Sequence, residues 1–472
     1  MADFNFKKWN LILGWFAFLI AFIAYSLTVE PTVSFWDAGE YILTSSKLQV
    51  GHPPGAPFFQ MMGAFFSIFA TDPTQIGLMI NMMSASASAF TILFMFWSIV
   101  LLIKQVVNNN ESSKEQNIAI LGAAFVGSLS FAFTDSFWFN AVETEVYAMA
   151  TLIMAVLFYL GLRWGNEMFT PRGNKWLILI SFVVGLSFGV HFMGLLTIPA
   201  IGLIYYFKNY KIITIRNFVL ANLAGIAVLL FVFKLLAPNI LRYFSILEIF
   251  FVNSVGLPFN SGSIIAFVLL VSFIILGIRY TQKKNYVNLN TALLCITFIV
   301  VGFSCWLMLP IRANANVTVN ENNPSSAREL LAYYNLEQYP KTHLFYGPQF
   351  TDQYAGLDKN KPYVDDKPKY EKDEILRRYV IVNDYENGLQ NYNSKHASLL
   401  PRMWSTEHAE NYMTYSGFLD FSIKSEHQMQ NELRSVINDF RNAVANGEVD
   451  YEDYHGFLKK YGRYIDIEKP SL

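Results

Sequence analysis

Long apolar runs separated by short polar loops dominate the first 310 residues of this 472-residue chain. Spans of roughly 15–26 mostly apolar residues fall at 9–27, 78–103, 118–134, 146–162, 176–190, 193–207, 217–236, 262–278 and 291–310. A bilayer core of about 30 Å needs about 20 helical residues. The pattern therefore predicts an all-α polytopic membrane protein, with about nine spans in a transmembrane domain over 1–310.

Two apolar runs allow more than one interpretation. The segment 54–70 is short and opens with prolines, so it is either a tenth span or an interfacial helix in the first outer loop, 28–77. We take it as interfacial. The run 176–207 would be about 48 Å long as a single helix, and glycines flank a plausible break at His191. We therefore interpret it as two spans.

Charge then orients the chain. With these assignments, most lysines and arginines of residues 1–310 gather on one side, which the positive-inside rule makes cytoplasmic. Residues 1–310 carry 16 basic and 12 acidic side chains, whereas residues 311–472 carry 19 and 24. We predict a multi-pass protein of the cell inner (cytoplasmic) membrane, with a cytoplasmic N-terminus. Residues 311–472 would be a partly helical extracytoplasmic segment, with one helix at about 425–445.

The densest set of candidate catalytic groups follows the first span. It runs Phe35-Trp-Asp-Ala-Gly-Glu40 and, after a short gap, Gly51-His-Pro-Pro-Gly55. Asp37 and Glu40 share a face if this loop is helical, and a carboxylate at a partly dry site acquires a pKa suited to a general base. Prolines would fix His52 near the bilayer surface. The alternatives are helix capping or solvation for the acids and a wet turn for His52.

Three more candidates border the outer ends of later spans. Glu143 and Glu145 abut the span at 146–162, where acids are costly unless they face water or a polar partner. We assign both to substrate binding, in which they would orient the hydroxyls of a sugar. His191 is predicted either to donate to a phosphate or hydroxyl, or to satisfy carbonyl groups freed by the helix break.

Two arginines are candidate phosphate ligands. Arg312 follows the last span at the depth of a lipid headgroup, and a guanidinium group pairs well with phosphate. Arg242, in a stretch (239–254) that we interpret as interfacial, is a weaker candidate, and snorkelling is the alternative for such arginines. We predict no metal ligand and no cofactor, because no His-Glu-x-x-His pattern occurs, and leave a divalent metal open. A formal net charge of −1 gives no reason to expect nucleic-acid binding.

The motifs Trp36-Asp-Ala-Gly-Glu40 and Gly51-His-Pro-Pro-Gly55 resemble the signature of the domain-of-unknown-function 2723 family. That family is assigned to membrane glycosyltransferases of the GT-C fold and includes an animal protein O-mannosyltransferase. The similarity continues through Glu143-Thr-Glu-Val-Tyr147 and Leu309-Pro-Ile-Arg312, and it extends to tail segments such as Asn335-Leu-Glu-Gln-Tyr339 and Tyr346-Gly-Pro348. The tail segments resemble Bacteroidota-type members, which are usually longer, so the resemblance implies a truncated chain.

The resemblance implies a polyprenyl-phosphate sugar donor and a general base at Asp37. Glu40 and His52 match the motif without an assigned role. We expect transfer of a hexose, most readily mannose, to Ser/Thr hydroxyls of exported proteins. Arg312, with Arg242 or His191, would stabilise the departing phosphate.

Other functions stay open. A glycolipid or cell-envelope glycan as acceptor would keep the same donor. A membrane transporter or flippase would use intramembrane acids as proton relays, although the acids here cluster near one face, away from the midplane, and no inverted repeat is visible. A scaffold without enzymatic activity is the third alternative.

Overall fold

The computed structural model describes residues 4–107, 113–339, 343, 345–352, 356–401 and 409–468. These residues form two compact units. The first is Met1–Gln338 with Glu374–Arg378, and the second is Tyr339–Asp373 with Tyr379–Leu472. Residues 311–338, which the sequence analysis placed in the extracytoplasmic segment, thus pack with the helical unit.

The first unit is built from helices. In chain order they are α1 (Phe6–Thr28), α2 (Ala38–Ser46), α3 (Pro57–Ser67), α4 (Ile76–Val106), α5 (Lys114–Ala132), α6 (Asp135–Ala141), α7 (Val146–Glu167), α8 (Asn174–Ser187), α9 (Thr197–Asn209), α10 (Ile215–Leu230), α11 (Ala237–Ile249), α12 (Ser261–Lys283), α13 (Val287–Phe303), α14 (Met308–Ala313) and α15 (Ala327–Tyr334).

Within the described residues, six helical stretches are long and apolar enough to cross a membrane: Phe6–Thr28, Pro73–Val106, Val146–Glu167, Ile215–Ser254, Ser261–Lys283 and Val287–Ala313. Helices α5 and α6 are bent by 70° relative to each other and give a seventh if they act as one span. Helices α8 and α9, of 14 and 13 residues, are shorter than the about 20 residues that a bilayer core needs. The protein is therefore a polytopic helical membrane protein, and the number of nine spans stays a prediction.

Two of the ambiguous runs are now defined. The run 176–207 is broken, as predicted: α8 ends at Ser187, and a 3-10 turn, Phe192–Leu196, precedes α9. Within 54–70, α3 has only 11 residues, which at 1.5 Å per residue is about 16 Å and too short to span. The first turn of α3 is held by the break between α8 and α9, because the backbone N–H groups of Phe58 and Phe59 donate to the carbonyl oxygen of Gly189 at 2.8 and 3.0 Å.

The stretch 239–254 is helical and continues the preceding span as one 40-residue helical stretch, with π-helical turns at Phe231–Leu236 and Phe250–Ser254. Its interfacial position stays a prediction. The first π turn directly precedes Pro238, which lies at the start of α11. A proline lacks an N–H and clashes with the preceding turn, and a local π turn accommodates it without ending the helix.

Helices α8 and α13 cross at glycines. A Cβ atom at Gly185 would lie 2.2 Å from the carbonyl oxygen of Ile299, and one at Gly302 would lie 2.3 Å from that of Phe182. Small residues permit this backbone approach in membrane helices. The same end of the pair is tied by the Trp306 indole N–H, which donates to the carbonyl oxygen of Phe188 at 2.9 Å.

The second unit combines short strands and helices. The strands are β1 (Tyr346–Pro348), β2 (Tyr363–Val364), β3 (Lys369–Asp373), β4 (Arg378–Asn383), β5 (Leu389–Gln390), β6 (Ala397–Leu399), β7 (Phe421–Ile423) and β8 (Ile465–Ile467). They pair as β1–β6, β2–β5, β3–β4 and β7–β8. The helices described in this unit are Ala409–Ser416, Asn431–Ala445 and Tyr451–Tyr461.

The helix that the sequence predicted at 425–445 is present but starts at Asn431, after a 3-10 turn at Ser425–His427. Its apolar stripe explains its place in the unit. Ile437 is buried, and the ring of Phe440 stacks on that of Phe457 with centroids 3.9 Å apart. These side chains form a core with the apolar residues of β7 and β8.

Alanine at Gly185 or Gly302 should destabilise the protein by about 1–3 kcal/mol, because the added methyl group meets backbone that cannot shift independently. The measurement is the melting temperature of the purified protein in detergent. Gly122 on α5 is the matched control, since nothing lies within 4 Å of the position that a Cβ atom would take there, and Gly122→Ala should leave the melting temperature unchanged or slightly raised. Equal melting temperatures for all three variants would contradict the glycine-dependent crossing.

Candidate active site

The loop after α1 turns into α2 at the predicted motif. The chain reverses at Trp36, whose φ is 59°, and α2 begins at Ala38, which is fully buried and anchors the helix. Asp37 is the N-cap residue, and Glu40 lies in the first turn. The two carboxylates therefore start the same short helix, as the spacing predicts.

Glu40 and His52 are joined by two hydrogen bonds. The His52 backbone N–H donates to Glu40 Oε1 at 2.6 Å, and His52 Nδ1 lies 2.9 Å from Glu40 Oε2. The hydrogen bond to Glu40 raises the pKa of the His52 imidazole against the effect of burial. Burial alone would raise the pKa of the Glu40 carboxyl, but the hydrogen bonds and charge of His52 outweigh it and lower that pKa. Both shifts favour the charged pair.

The turn that carries His52 depends on a glycine. A Cβ atom at Gly51 would lie 2.6 Å from Glu40 Oε1, so only glycine lets this carboxylate approach the His52 N–H. The Tyr333 hydroxyl of α15 donates to the carbonyl oxygen of Gly51 at 2.6 Å and lies 3.2 Å from that of His52. The Gly55 N–H closes the turn on the His52 carbonyl oxygen at 2.9 Å. The turn holds His52 in a defined place, as predicted.

Asp37 is the most accessible member of this group. Its Oδ2 lies 3.8 Å from His52 Nε2, and 58% of its side chain is exposed, against 26% for His52 and 27% for Glu40. The imidazole thus has one carboxylate on each side. The side of the ring that faces Glu40 is held by hydrogen bonds, and the side that faces Asp37 is more open to solvent.

Asn81 of α4 links the loop that precedes α2 to the loop that precedes α7. Its Nδ2 donates to the carbonyl oxygens of Glu30 and Thr32 at 2.7 and 2.9 Å, and the Thr144 hydroxyl donates to its Oδ1. The Glu30 N–H also donates to the carbonyl oxygen of Val142 at 2.9 Å. Because Asn81 is 1% exposed, this link is shielded from water and fixes the neighbouring acids.

Glu143 and Glu145 lie in this second loop and are both buried. Burial, with the negative charges of Asp37 and Glu143, raises the pKa of Glu145 to about 7. Burial and the charge of Glu30 raise the pKa of Glu143, although the neighbouring Ser34 opposes the shift. Glu145 therefore lies close enough to Asp37 for the negative charge of Asp37 to raise the pKa of Glu145. At neutral pH the Glu145 carboxyl group is partly protonated.

His191 packs beside Tyr147, which lies at the start of α7. Its ring lies 5.4 Å from that of Tyr147, measured between centroids, and its Nδ1 accepts the Met193 backbone N–H at 3.1 Å. Burial lowers the pKa of the imidazole. A neutral ring that accepts at Nδ1 carries its proton on Nε2, so His191 can donate one hydrogen bond from that atom.

The two arginines have different environments. Arg312 donates from Nε to the carbonyl oxygen of Leu48 at 2.6 Å and from an Nη atom to that of Lys47 at 3.0 Å. It therefore fixes the C-terminal end of α2, where a cation is favourable. Arg242 is an exposed residue of α11, and within the described ranges no hydrogen bond or ion pair links it to this group.

Three residues of the site were not found from the sequence. Tyr41 packs its ring 5.8 Å from that of His52 and 5.2 Å from that of Phe59. Glu321 has a pKa raised by burial and by the charge of Glu40. The position of Tyr41, four residues after Asp37 in a predicted helix, could have indicated that it lies beside Asp37. No local pattern indicates that Glu321 or Tyr333 would lie beside a turn far earlier in the chain.

Asp37, Glu40 and His52 each offer one donor atom, and these atoms lie within 4.8 Å of one another. That distance is compatible with a divalent cation. Both carboxylate oxygens of Glu40, however, already accept N–H groups of His52. The arrangement of these side chains is that of an ion-paired triad.

Part of the chain is similar to known proteins. Residues 37–214 match the family model "Protein O-mannosyl-transferase TMEM260 N-terminal domain", and residues 340–472 match a family of unknown function, DUF8416. A Dictyostelium discoideum protein described as "Protein O-mannosyl-transferase tmem260" is 25% identical over 242 residues, covering 48% of this chain and 28% of that protein. No solved structure matches. The chain from Asp37 onward, which carries the candidate site, thus lies in a region similar to protein O-mannosyltransferases.

Glu40→Gln should lower the free energy of unfolding by about 1–2 kcal/mol, because it removes a charged hydrogen-bond partner of His52. The raised pKa of His52 makes its contribution complete below about pH 6.5 and lost as the pH rises through the folded-state value. The lowered pKa of Glu40 makes its contribution complete above about pH 4.5 and lost as the pH falls through its folded-state value.

The difference in melting temperature between wild type and Glu40→Gln should therefore be largest between about pH 4.5 and 6.5 and smaller on either side. Asp135→Asn is the control, because Asp135 is an exposed residue in the first turn of α6. A difference that does not change with pH would contradict the charged pair.

Proposed function

We propose that this protein is a membrane glycosyltransferase that moves mannose from a polyprenyl-phosphate carrier to Ser/Thr hydroxyls of exported proteins. The observation that carries the proposal is the accessible Asp37 carboxylate, backed by the Glu40–His52 pair, within the region similar to protein O-mannosyltransferases. The acceptor and the sugar are taken from the description of the similar proteins. The site would lie on the outer face of the inner membrane, with the N-terminus cytoplasmic.

In this mechanism, Asp37 is the general base. Its carboxylate takes the proton of the acceptor hydroxyl as the hydroxyl oxygen attacks the anomeric carbon of the sugar. The bond between that carbon and the phosphate oxygen breaks, and the polyprenyl phosphate leaves with the electron pair. A single displacement of this kind inverts the anomeric centre.

The departing phosphate needs a hydrogen-bond donor. In the proposal His191 supplies one from Nε2, because its Nδ1 is occupied by the Met193 N–H. Arg312 would act mainly through the end of α2, since two of its nitrogens hold the carbonyl oxygens of Lys47 and Leu48. The exposed Arg242 would contribute by long-range attraction.

The buried acids of the second loop suit the recognition of sugar hydroxyls. Glu145, with a pKa of about 7, can accept a hydrogen bond when ionised and donate one when protonated. Glu143 lies beside it and is equally shielded from water. In the proposal these two side chains hold the hexose while Asp37 faces the acceptor.

An apolar cavity supports a lipid-linked donor. It has a volume of about 640 Å³ and is lined by residues of α11, α12, α13, α14 and α15. Trp306 and Leu330 contribute to its wall. The ring of Trp306 lies 6.4 Å from that of Tyr333, whose hydroxyl binds the turn at Gly51. A hydrocarbon chain in this cavity would therefore be separated from the turn at Gly51 by the side chains of Trp306 and Tyr333.

Asp37→Asn should reduce transfer by about 100- to 10,000-fold, the usual contribution of a general base. The assay measures radiolabelled mannose passing from synthetic polyprenyl-phosphate mannose to Ser/Thr-containing peptides, with the purified chain in lipid nanodiscs. Asp135→Asn, which removes an exposed carboxylate from the following outer loop, should retain wild-type activity. Full transfer by a correctly inserted Asp37→Asn protein would overturn the proposal.

Filling the cavity should discriminate between donors by chain length. Ile264 lines the cavity, and Ile264→Trp should lower kcat/KM about tenfold for a long polyprenyl donor, a change of about 1.4 kcal/mol. A donor with a short prenyl chain should be used as well as by wild type. Ile12→Trp on α1, at an exposed apolar position, is the matched control. Equal loss for both donors would show that the cavity does not hold the chain.

A further inference from the structure

We propose that Glu40 and His52 are positioning residues that fix the orientation of the Asp37 carboxylate. Glu40 holds the imidazole, and the imidazole holds one oxygen of Asp37, leaving the other oxygen for the acceptor hydroxyl. The inference rests on the proposed function, in which Asp37 is the base, and it assigns roles to two residues that the motif alone leaves without one.

The orientation of the imidazole is set from its buried side. The Glu40 carboxylate accepts one hydrogen bond from the backbone N–H of His52 and one from its ring Nδ1–H. With Nδ1 directed to Glu40, the other ring nitrogen, Nε2, is necessarily directed away from it. That nitrogen lies 3.8 Å from Asp37 Oδ2, so a movement of about 0.6–1 Å brings the pair to hydrogen-bond length.

The backbone under the imidazole is held by separate elements. Tyr333 of α15 binds the carbonyl oxygens of Gly51 and His52, and the ring of Tyr41 packs against the imidazole. These contacts oppose tilting of the ring when Asp37 moves. Since catalysis depends on geometry, with a 1 Å misplacement costing about 100-fold in rate, a fixed support behind an exposed carboxylate has a clear chemical use.

The charges around the ring suit the same role. The acids that act on His52 are Glu40, Asp37 and Glu321. Among the described residues of this unit, His52 forms ion pairs with Asp37 and Glu40, and no lysine or arginine does so. A protonated imidazole between these carboxylates reduces their mutual repulsion. It also donates from both ring nitrogens, so the Nε2 proton stays available to Asp37 while the Nδ1 proton is used by Glu40.

The test is a set of single and double variants in the transfer assay. His52→Gln and Glu40→Gln should each lower kcat about 10- to 100-fold and leave KM for the donor unchanged. The double variant should be no slower than His52→Gln, because the two residues act in series. In an Asp37→Asn background, His52→Gln should have no further effect. Independent, multiplicative losses in these backgrounds would overturn the proposal.

Chemical rescue separates positioning from folding. In His52→Gly, free imidazole should restore part of kcat, and it should restore nothing in Asp37→Asn. Loss of wild-type activity in a chelator, together with Mn²⁺ binding that disappears in His52→Gln, would overturn the proposal by making Nε2 a metal ligand. Full activity in Asp37→Asn would instead refute the proposed function and leave a different signature from any of these outcomes.

A measurement without turnover completes the test. The chain contains seven histidines, and their ring nitrogens can be followed in ¹⁵N-histidine-labelled protein, with His52 assigned by loss of its signals in His52→Gln. Asp37→Asn should shift the Nε2 signal of His52, and Glu40→Gln should shift the Nδ1 signal. An Nε2 signal insensitive to Asp37→Asn would overturn the proposal even if no transfer is detected.

Discussion

The candidate site depends on the Glu40 carboxylate accepting both N–H groups of His52. This interaction joins the first turn of α2 to a residue 12 positions further along the chain, and it does so only because Gly51 has no side chain to block the approach. Two further contacts support this interaction: Arg312 binds the C-terminal end of α2, and Tyr333 binds the turn that carries His52. A partly buried charged pair needs such support, because an unmatched charge away from water is costly.

Much of this arrangement follows from the sequence. The apolar runs predict the helical membrane unit, and the spacing of Asp37 and Glu40 predicts that they share a helix. The paired prolines predict a fixed turn for His52. The break at His191 is also visible in the sequence, since its flanking glycines and the length of the run both argue against a single helix.

Other features depend on contacts between distant segments. In the sequence, Asn81 is an ordinary polar residue within a span. In the structure its side chain links the loop that precedes α2 to the loop that precedes α7. Tyr333 looks like one aromatic among many in a Tyr-rich region. The continuous helix from Ile215 to Ser254 was not predicted from the sequence. It passes through Pro238, although a proline usually ends a helix, and no simple pattern encodes π turns. The strands of the second unit are two to six residues long, too short for a periodic signal.

The hydrogen bond from Tyr333 has a consequence for how this chain can be divided. The family-model match ends at residue 214, but the turn that presents His52 is tied to α15, which follows the last helical span. Helix α15 itself packs through buried Leu330 and Tyr334. A fragment limited to the matched region would keep the Asp37 and Glu40 carboxylates but lose the hydrogen bonds from Tyr333 to the turn of His52, so a fragment that preserves the candidate site has to extend at least to Tyr334.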